Sequence, residues 1–176
     1  MSNLYQSAKF SSSVETAPAA YQVGDRDDRP WGYYTVTGVG TDPNGEEYCE
    51  KTIVIKPGHV LSLQSHNLRR EKWTVKKGTL TALLDGQRVD VLPHESLHIP
   101  AGSIHCMANL DDDNCLVEER QEGICREEDI KRYMDAYQRA TEKLASPTAE
   151  ECVAAYRMIL DDIRKISVNR SQGAPY

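Results

Sequence analysis

Three polar side chains that can bind a metal ion lie within eight residues of one another, Gln64, His66 and Glu71, and a later stretch contributes His105. Side chains two residues apart on a β-strand point to the same face. Gln64 and His66 can therefore share a face, and a turn over the next four residues would return Glu71 to it. These four side chains predict a site for one divalent metal ion.

The donor set narrows the choice of metal. An amide oxygen, two imidazoles and a carboxylate suit Zn, Mn, Fe, Co or Ni, with Zn as the first choice, and they differ from the all-oxygen cages of Ca or Mg. Ligands on rigid strands can leave positions open for water or substrate, as catalysis requires. His98 shares a strand face with Ser96 just before the His105 stretch, so it could line the same pocket. His59 and His94 lie in turns and are interpreted as structural or exposed.

Short extended runs, separated by turn residues, occupy most of the chain between Trp31 and Glu119. The runs are rich in β-branched and aromatic residues, and Gly, Pro, Asn and Asp separate them. The pair Asp85-Gly86 predicts a two-residue hairpin. Many short strands without intervening helices predict an antiparallel barrel or double-sheet jelly roll over residues 25–123.

The C-terminal third has a helical pattern. Apolar residues recur at intervals of three, four or seven over residues 130–144, which predicts one helix. Residues 148–151 read Thr-Ala-Glu-Glu, a capping box that predicts the start of a second helix with an apolar stripe from Cys152 to Ile166. We expect this helical extension, residues 124–168, to pack on the barrel or on a second subunit. Residues 1–24 predict a loose arm or a segment that docks on a partner subunit.

Composition limits the function classes. A chain of 176 residues fits one domain, and a net charge of -6 argues against a general nucleic-acid binder. The five cysteines are odd in number and lack CxxC spacing, so neither a disulfide framework nor a thiolate zinc site is predicted. The sequence shows neither a signal peptide nor a long apolar run, so we expect a cytoplasmic protein without a membrane partner.

Several motifs resemble a known family. The spacing Gln-x-His-x4-Glu, followed by Gly78 and by Pro-x-Gly-x2-His-x3-Asn over residues 100–109, resembles the two motifs of the cupin superfamily, with glutamine in place of the first histidine. Five segments in the same order resemble the cupin domain of type II phosphomannose isomerases over about residues 27–140: RPWGYY from Arg29, KPGHVLSLQSH from Lys56, RREKW from Arg69, SLHIPAGSIH from Ser96 and EEDIKRYMDAYQR from Glu127. In that family the domain often follows a GDP-mannose pyrophosphorylase domain, which this sequence lacks.

The resemblance implies a metal-dependent cupin barrel that interconverts mannose 6-phosphate and fructose 6-phosphate. That isomerisation needs removal of a proton next to a carbonyl and stabilisation of an enediolate, for which a divalent metal can act as Lewis acid. The phosphate needs cations, and Arg69, Arg132 and Arg139 match arginines of the family. Barrels of this family commonly pair, so a homodimer is expected.

Two departures from the family leave alternatives open. Glu71-Lys72-Trp73 stands where the family usually has Glu-His-Trp, and Tyr137-Gln138-Arg139 where it has Tyr-Gly-Arg. The base for proton transfer is therefore open among Lys72, His98 and a water on the metal. The alternative functions are another metal-dependent cupin enzyme, an oxygenase or sugar-modifying enzyme, and a non-catalytic sugar-phosphate-binding protein.

Overall fold

A computed structural model describes residues 21–139, 143 and 146–172. The predicted N-terminal arm lies outside the described residues up to residue 20. The described residues form twelve β-strands, one 3-10 turn and one α-helix: β1 Arg26–Arg29, β2 Gly32–Thr41, β3 Glu47–Ile55, β4 His59–Val60, β5 Leu63–His66, β6 Arg69–Lys77, β7 Leu80–Leu84, β8 Gln87–Val91, β9 Ser96–Ile99, β10 His105–Asn109, β11 Cys115–Gly123, the turn Glu127–Asp129, β12 Ile130–Met134 and α1 Pro147–Gln172.

The strands form two antiparallel sheets that face each other. The first sheet has the order β1-β2-β3-β11-β6-β9, and the second has the order β12-β5-β10-β7-β8, with β4 paired to β10. Buried side chains from both sheets form the main core, including Ile55, Trp73, Ile99, Leu80 and Met107. Alternation along each strand places these residues between the sheets. The predicted double-sheet architecture is confirmed.

Two local backbone features let neighbouring strands pair, a hairpin turn and a close approach at a glycine. Asp85 and Gly86 join β7 to β8, and both have positive φ angles, 48° and 84°, as a two-residue hairpin turn requires. Gly32 has φ of 147°, and a Cβ there would lie 1.9 Å from the Val54 carbonyl oxygen. Only glycine therefore allows β2 to approach β3 this closely.

The helix predicted over residues 130–144 is wrong where the structure describes it. Residues Ile130–Met134 form β12, which pairs antiparallel with β5, and Tyr133 shares a hydrogen bond with Ser65, 3.0 Å between hydroxyl oxygens. A short apolar run fits either period, and here the open edge of β5 supplies backbone partners that outweigh the local helical spacing. Leu144, the last residue of the predicted stripe, lies outside the described residues.

The second predicted helix is present, but its cap is different. The backbone N–H of Ala149 donates to Ser146 Oγ at 3.2 Å, so Ser146 is the N-cap and Pro147 the first helical residue. The predicted capping box at Thr148 is therefore wrong, because Thr148 already lies inside the first turn. The buried stripe of α1 includes Tyr156, whose hydroxyl donates to the Leu61 carbonyl at 3.0 Å.

Helix α1 covers the outer face of the second sheet. Its buried residues Cys152 and Ile159 pack in one cluster with Leu63, Leu83 and Cys106.

None of the five cysteines forms a disulfide, as predicted. In the described part of the chain, no helix combines the length and apolar content needed to cross a membrane.

Candidate metal centre

His66, Glu71 and His105 meet between the two sheets. Their candidate ligand atoms all lie within 4.8 Å of one another, and all three residues are buried. His66 Nε2 lies 3.3 Å from Glu71 Oε1, and His105 Nε2 lies 3.7 Å from Glu71 Oε2. Two sheets contribute, since His66 and His105 come from β5 and β10 and Glu71 comes from β6. The sequence prediction that these side chains converge agrees with this geometry.

The hydrogen bonds of His105 test whether the cluster suits a metal ion. His105 Nδ1 lies 2.9 Å from the Ser103 carbonyl oxygen, which can only accept, so Nδ1 carries the proton. The other nitrogen, Nε2, then presents a lone pair and has no hydrogen-bond partner among the described residues, as is also true of Nδ1 of His66. An unsatisfied buried polar atom costs about 1–3 kcal/mol. A divalent cation would satisfy His105 Nε2, the orphaned atom that faces Glu71, so the cluster fits one.

The protonation states of the cluster also suit a cation. Burial lowers the pKa of His66 to about 3 and lowers that of His105. Burial opposes ionisation of Glu71, but attraction to His105, His66 and Arg69 outweighs it and holds the pKa of Glu71 at about 2. With both imidazoles neutral near neutral pH, the permanent positive charge facing Glu71 is that of Arg69. Neutral imidazoles and an ionised carboxylate are the forms that bind metals.

Arg69 lies two residues before Glu71 on the same strand and is only 3% exposed. Its Nε donates to Glu71 Oε1 at 3.3 Å, Nη2 lies 3.2 Å from His66 Nε2, and Nη1 donates to the Arg126 carbonyl at 2.8 Å. The indole of Trp73 donates to the other oxygen, Glu71 Oε2, at 3.0 Å. The guanidinium predicted to grip phosphate is thus engaged in positioning the predicted ligands.

Gln64 also lies at the cluster, but with its amide nitrogen toward His66. Its Oε1 accepts from Ser62 Oγ at 2.8 Å, and its Nε2 lies 3.4 Å from His66 Nε2. Rotation of the amide by half a turn would exchange the two atoms and present an oxygen donor. The ligand role of Gln64 stays a prediction, and it requires the rotated amide.

A cavity of about 80 Å³ adjoins the cluster, and most of the charged side chains that line it are cationic. Gln64 and Arg69 are shared between its lining and the surroundings of the cluster. Four further cations line it: Arg29, Lys51, Arg132 and Arg139. Among the described residues of the lining, Glu119 is the one acidic residue, and this excess of cations in a chain with net charge -6 indicates a site for an anionic ligand.

Arg132 and Arg139, the other two predicted phosphate residues, both line this cavity. Arg132 lies on β12 opposite Gln64 of β5, so the strand that replaces the predicted helix carries it to the site. Arg139 forms an ion pair with the buried side chain of Asp135. Gln138, between Tyr137 and Arg139, has φ of 61°, in the left-handed region that glycine prefers.

The structure does not bring Lys72 and His98 into the cavity. The two residues are exposed and lie opposite each other on the paired strands β6 and β9. Side chains alternate along β6, and Glu71 and Trp73 face the interior, so Lys72 faces outward. The predicted roles of Lys72 and His98 as a proton-transfer base are therefore corrected.

Three buried polar residues beside the cluster were not predicted from the sequence: Lys51 on β3, and Glu119 and Gln121 on β11. Lys51 Nζ lies 3.9 Å from Glu119 Oε2, and Gln121 Nε2 donates to Glu119 Oε2 at 2.9 Å and to Glu71 Oε1 at 3.1 Å. Burial, and next the charge of Glu71, raise the pKa of Glu119 to about 8. Strand parity was the available signal, since Lys51 has the same parity as the buried Ile53.

Comparison with known proteins supports the family. A family model described as the C-terminal part of mannose-6-phosphate isomerase matches residues 18–135. Mannose-1-phosphate guanylyltransferase of Escherichia coli K12 is 37% identical over 116 residues, which are 63% of this chain and 22% of that protein. Alginate biosynthesis protein AlgA of Pseudomonas putida is 32% identical over 127 residues, 72% of this chain and 25% of that protein. The chain thus spans about a quarter of the length of these curated relatives.

Solved structures share the fold. The capsular polysaccharide assembling protein CapF of Staphylococcus aureus aligns with a TM-score of 0.52 at 18% identity, over 61% of this chain and 31% of that one. KdgF of a Halomonas species aligns with a TM-score of 0.51 at 18% identity, over 59% of this chain and 91% of that one. The fold is accordingly the double-stranded β-helix of cupins with one C-terminal helix in the described residues. The chain belongs to the family of mannose-6-phosphate isomerase C-terminal domains.

Proposed function

We propose that the chain is a divalent-metal-dependent isomerase that interconverts mannose 6-phosphate and fructose 6-phosphate through an enediolate. The observation that carries the proposal is the joining of two features in one place. The buried cluster of His66, Glu71 and His105 adjoins a cavity lined by cations that include Arg132 and Arg139. The first suits a divalent cation, and the second suits a phosphorylated sugar.

The chemistry assigns different work to the two parts. His66, Glu71 and His105, with Gln64, would hold the cation, Zn as first choice, which when bound supplies Lewis-acid stabilisation for the negative charge of the enediolate oxygens. Arg69 keeps the Glu71 carboxylate ionised and oriented.

The phosphate end is assigned to Arg132 and Arg139. A guanidinium can bind two phosphate oxygens at once, and both side chains line the cavity. Of the proton carriers considered from the sequence, Lys72 and His98 are exposed on the outer face of the first sheet. The proposal therefore leaves the proton transfer to a water in the cavity.

The test is a coupled isomerase assay on mannose 6-phosphate with protein loaded in turn with Zn, Mn, Co, Ni and Fe(II). His66→Ala and His105→Ala should each abolish turnover. The matched control is His94→Asn, an exposed histidine in a turn with φ of 73°, where asparagine is tolerated. Absence of wild-type turnover with every metal would refute the proposal.

A second candidate function follows from the same cluster. Two histidines and one carboxylate are also the ligand set of non-haem Fe(II) oxygenases, and His66, Glu71 and His105 provide it. An oxygenase would consume O2 when loaded with Fe(II) and would show no isomerisation. Oxygen-electrode measurements beside the isomerase assay separate the two functions, and light scattering tests the predicted homodimer.

A further inference from the structure

Lys51 is a buried cation that the proposed chemistry leaves without a role. It lines the cavity beside the metal centre and is 6% exposed. Its ammonium lies 3.9 Å from Glu119 Oε2, which is longer than a hydrogen bond. It also lies 3.9 Å from the ring centre of Tyr21 and 4.9 Å from that of Tyr34. An ammonium has three N–H donors, and none of these contacts is a short hydrogen bond to an oxygen.

Gln121, on the neighbouring strand β11, presents the complementary atom. Its amide nitrogen donates to Glu71 Oε1 and to Glu119 Oε2, at 3.1 and 2.9 Å. Because the ionised Glu71 carboxylate only accepts, the amide nitrogen must face it, and this fixes the amide orientation. The amide oxygen is then left buried with no hydrogen-bond partner among the described residues. A ligand that donates to this oxygen would recover about 1–3 kcal/mol.

We propose that Lys51 and Gln121 form a subsite for the reacting end of the sugar phosphate, the carbonyl carbon and the hydroxyl-bearing carbon next to it. Lys51 donates to the oxygen that gains negative charge, and Gln121 Oε1 accepts a hydrogen bond from the adjacent hydroxyl. Lys51 acts here as a hydrogen-bond donor and transfers no proton. This inference rests on the proposed function, since it names the residues that bind its substrate.

The chemistry of the subsite favours a sugar hydroxyl over the phosphate group. A phosphate dianion only accepts hydrogen bonds, so Gln121 Oε1 and the neighbouring Glu71 carboxylate would repel it. A hydroxyl both donates and accepts, and it therefore matches an acceptor next to an ammonium. Gln121 is also hydrogen-bonded to Glu71, which keeps this subsite one side chain from the metal centre. Arg132 and Arg139 come from a separate segment of the chain and line the same cavity.

The experiment compares two probes on the metal-loaded chain by calorimetric titration: inorganic phosphate and mannose 6-phosphate. We expect Lys51→Met to weaken binding of mannose 6-phosphate by about tenfold or more, the loss of one charged hydrogen bond, while the affinity for inorganic phosphate stays within about twofold. Lys51→Arg keeps the charge and should restore part of the loss. Lys77→Met, an exposed lysine at the end of β6, is the matched control and should change neither affinity.

Gln121→Met provides an independent second variant, and its metal content and circular dichroism are measured alongside. With metal content unchanged, it should lower the affinity for mannose 6-phosphate and spare that for inorganic phosphate. Unchanged sugar-phosphate affinity in folded Lys51→Met would overturn the subsite, and so would an equal loss for both probes, which would make Lys51 a phosphate residue. If Lys51→Met does not fold, Lys51→Arg and Gln121→Met decide by the same two criteria. A wild type that binds neither probe overturns the proposed function as well, whereas normal wild-type binding with unaffected variants overturns the subsite alone.

Discussion

Replacing Arg69 with methionine should destabilise the metal-free protein strongly. Arg69 is the permanent cation at the buried Glu71 carboxylate, and its Nε donates to Glu71 Oε1 at 3.3 Å. Removing one partner of a buried ion pair typically costs about 3–5 kcal/mol. Glu71 keeps hydrogen bonds from Trp73 and Gln121, so we expect the lower end, about 3 kcal/mol. For a chain of this size that loss lowers Tm by about 6–12 °C.

Arg70, the next residue, is a matched control. Its side chain is 52% exposed and pairs with Glu46 and Glu122 at the surface. Exposed ion pairs contribute about 0–1 kcal/mol, so Arg70→Met should change the free energy of unfolding by less than about 1 kcal/mol. Urea denaturation of the chelator-treated wild type and both variants, followed by circular dichroism, measures the difference.

A second readout separates positioning from phosphate binding. If Arg69 acts through Glu71, Arg69→Met should lower metal affinity and leave the affinity of the metal-loaded protein for inorganic phosphate within about twofold of the wild type. A variant that unfolds within about 1 kcal/mol of the wild type would refute the assigned role. A drop of about tenfold in phosphate affinity at full metal occupancy would return Arg69 to the phosphate site.

Other substitutions and pH changes test further contacts. In the metal-free protein, raising the pH from 6.5 to 8 should lower the free energy of unfolding by up to about 2 kcal/mol. The reason is that the pKa of Glu119 is raised to about 8 in the folded state, so the folded protein holds a proton that the unfolded chain has already lost. Glu119→Gln should flatten this pH dependence in urea titrations. Lowering the pH from 4.5 to 3 should also destabilise it, since the pKa of His66 is lowered to about 3 and the unfolded chain takes up the proton first; His66→Gln should reduce this acid sensitivity. Gly32→Ala should cost more than about 3 kcal/mol because its Cβ would meet a β3 carbonyl at 1.9 Å, whereas Gly45→Ala, with φ of 84° and no atom within 4 Å, should cost about 1 kcal/mol; equal losses in denaturant would contradict the steric argument. Gln138 has a left-handed φ of 61°, which costs a non-glycine residue about 1 kcal/mol. Gln138→Gly removes this strain and should raise Tm slightly, and a lower Tm would show that the side chain is needed.

Much of the metal centre could be predicted because strand alternation is local. Gln64 and His66 lie two apart, and the structure has them on the same interior face as Glu71 and His105. The same rule identifies Lys72 as outward-facing, once β6 is known to pair with β9 without a bulge from Glu71 to Thr74. Residue spacing carries this information because a strand has a fixed period.

Features that depend on distant chain segments could not be read from spacing. Arg69 is fixed by a carbonyl 57 residues later, at Arg126, so its commitment to Glu71 has no local signal. Residues 130–134 form a strand because the edge of β5 is open to them, although their apolar spacing also fits a helix. The roles of Lys51 and Gln121 require knowing that β3 and β11 are neighbours.

The central claim is that His66, Glu71 and His105 hold one divalent metal ion, and metal content tests it most directly. Protein loaded with Zn and dialysed should retain about one ion per chain in the wild type and in His94→Asn, and less than about a tenth of an ion in His105→Ala, because a lost imidazole leaves too few ligands. Folding of the variant is checked by circular dichroism. Equal metal content in folded His105→Ala and wild type would contradict the site.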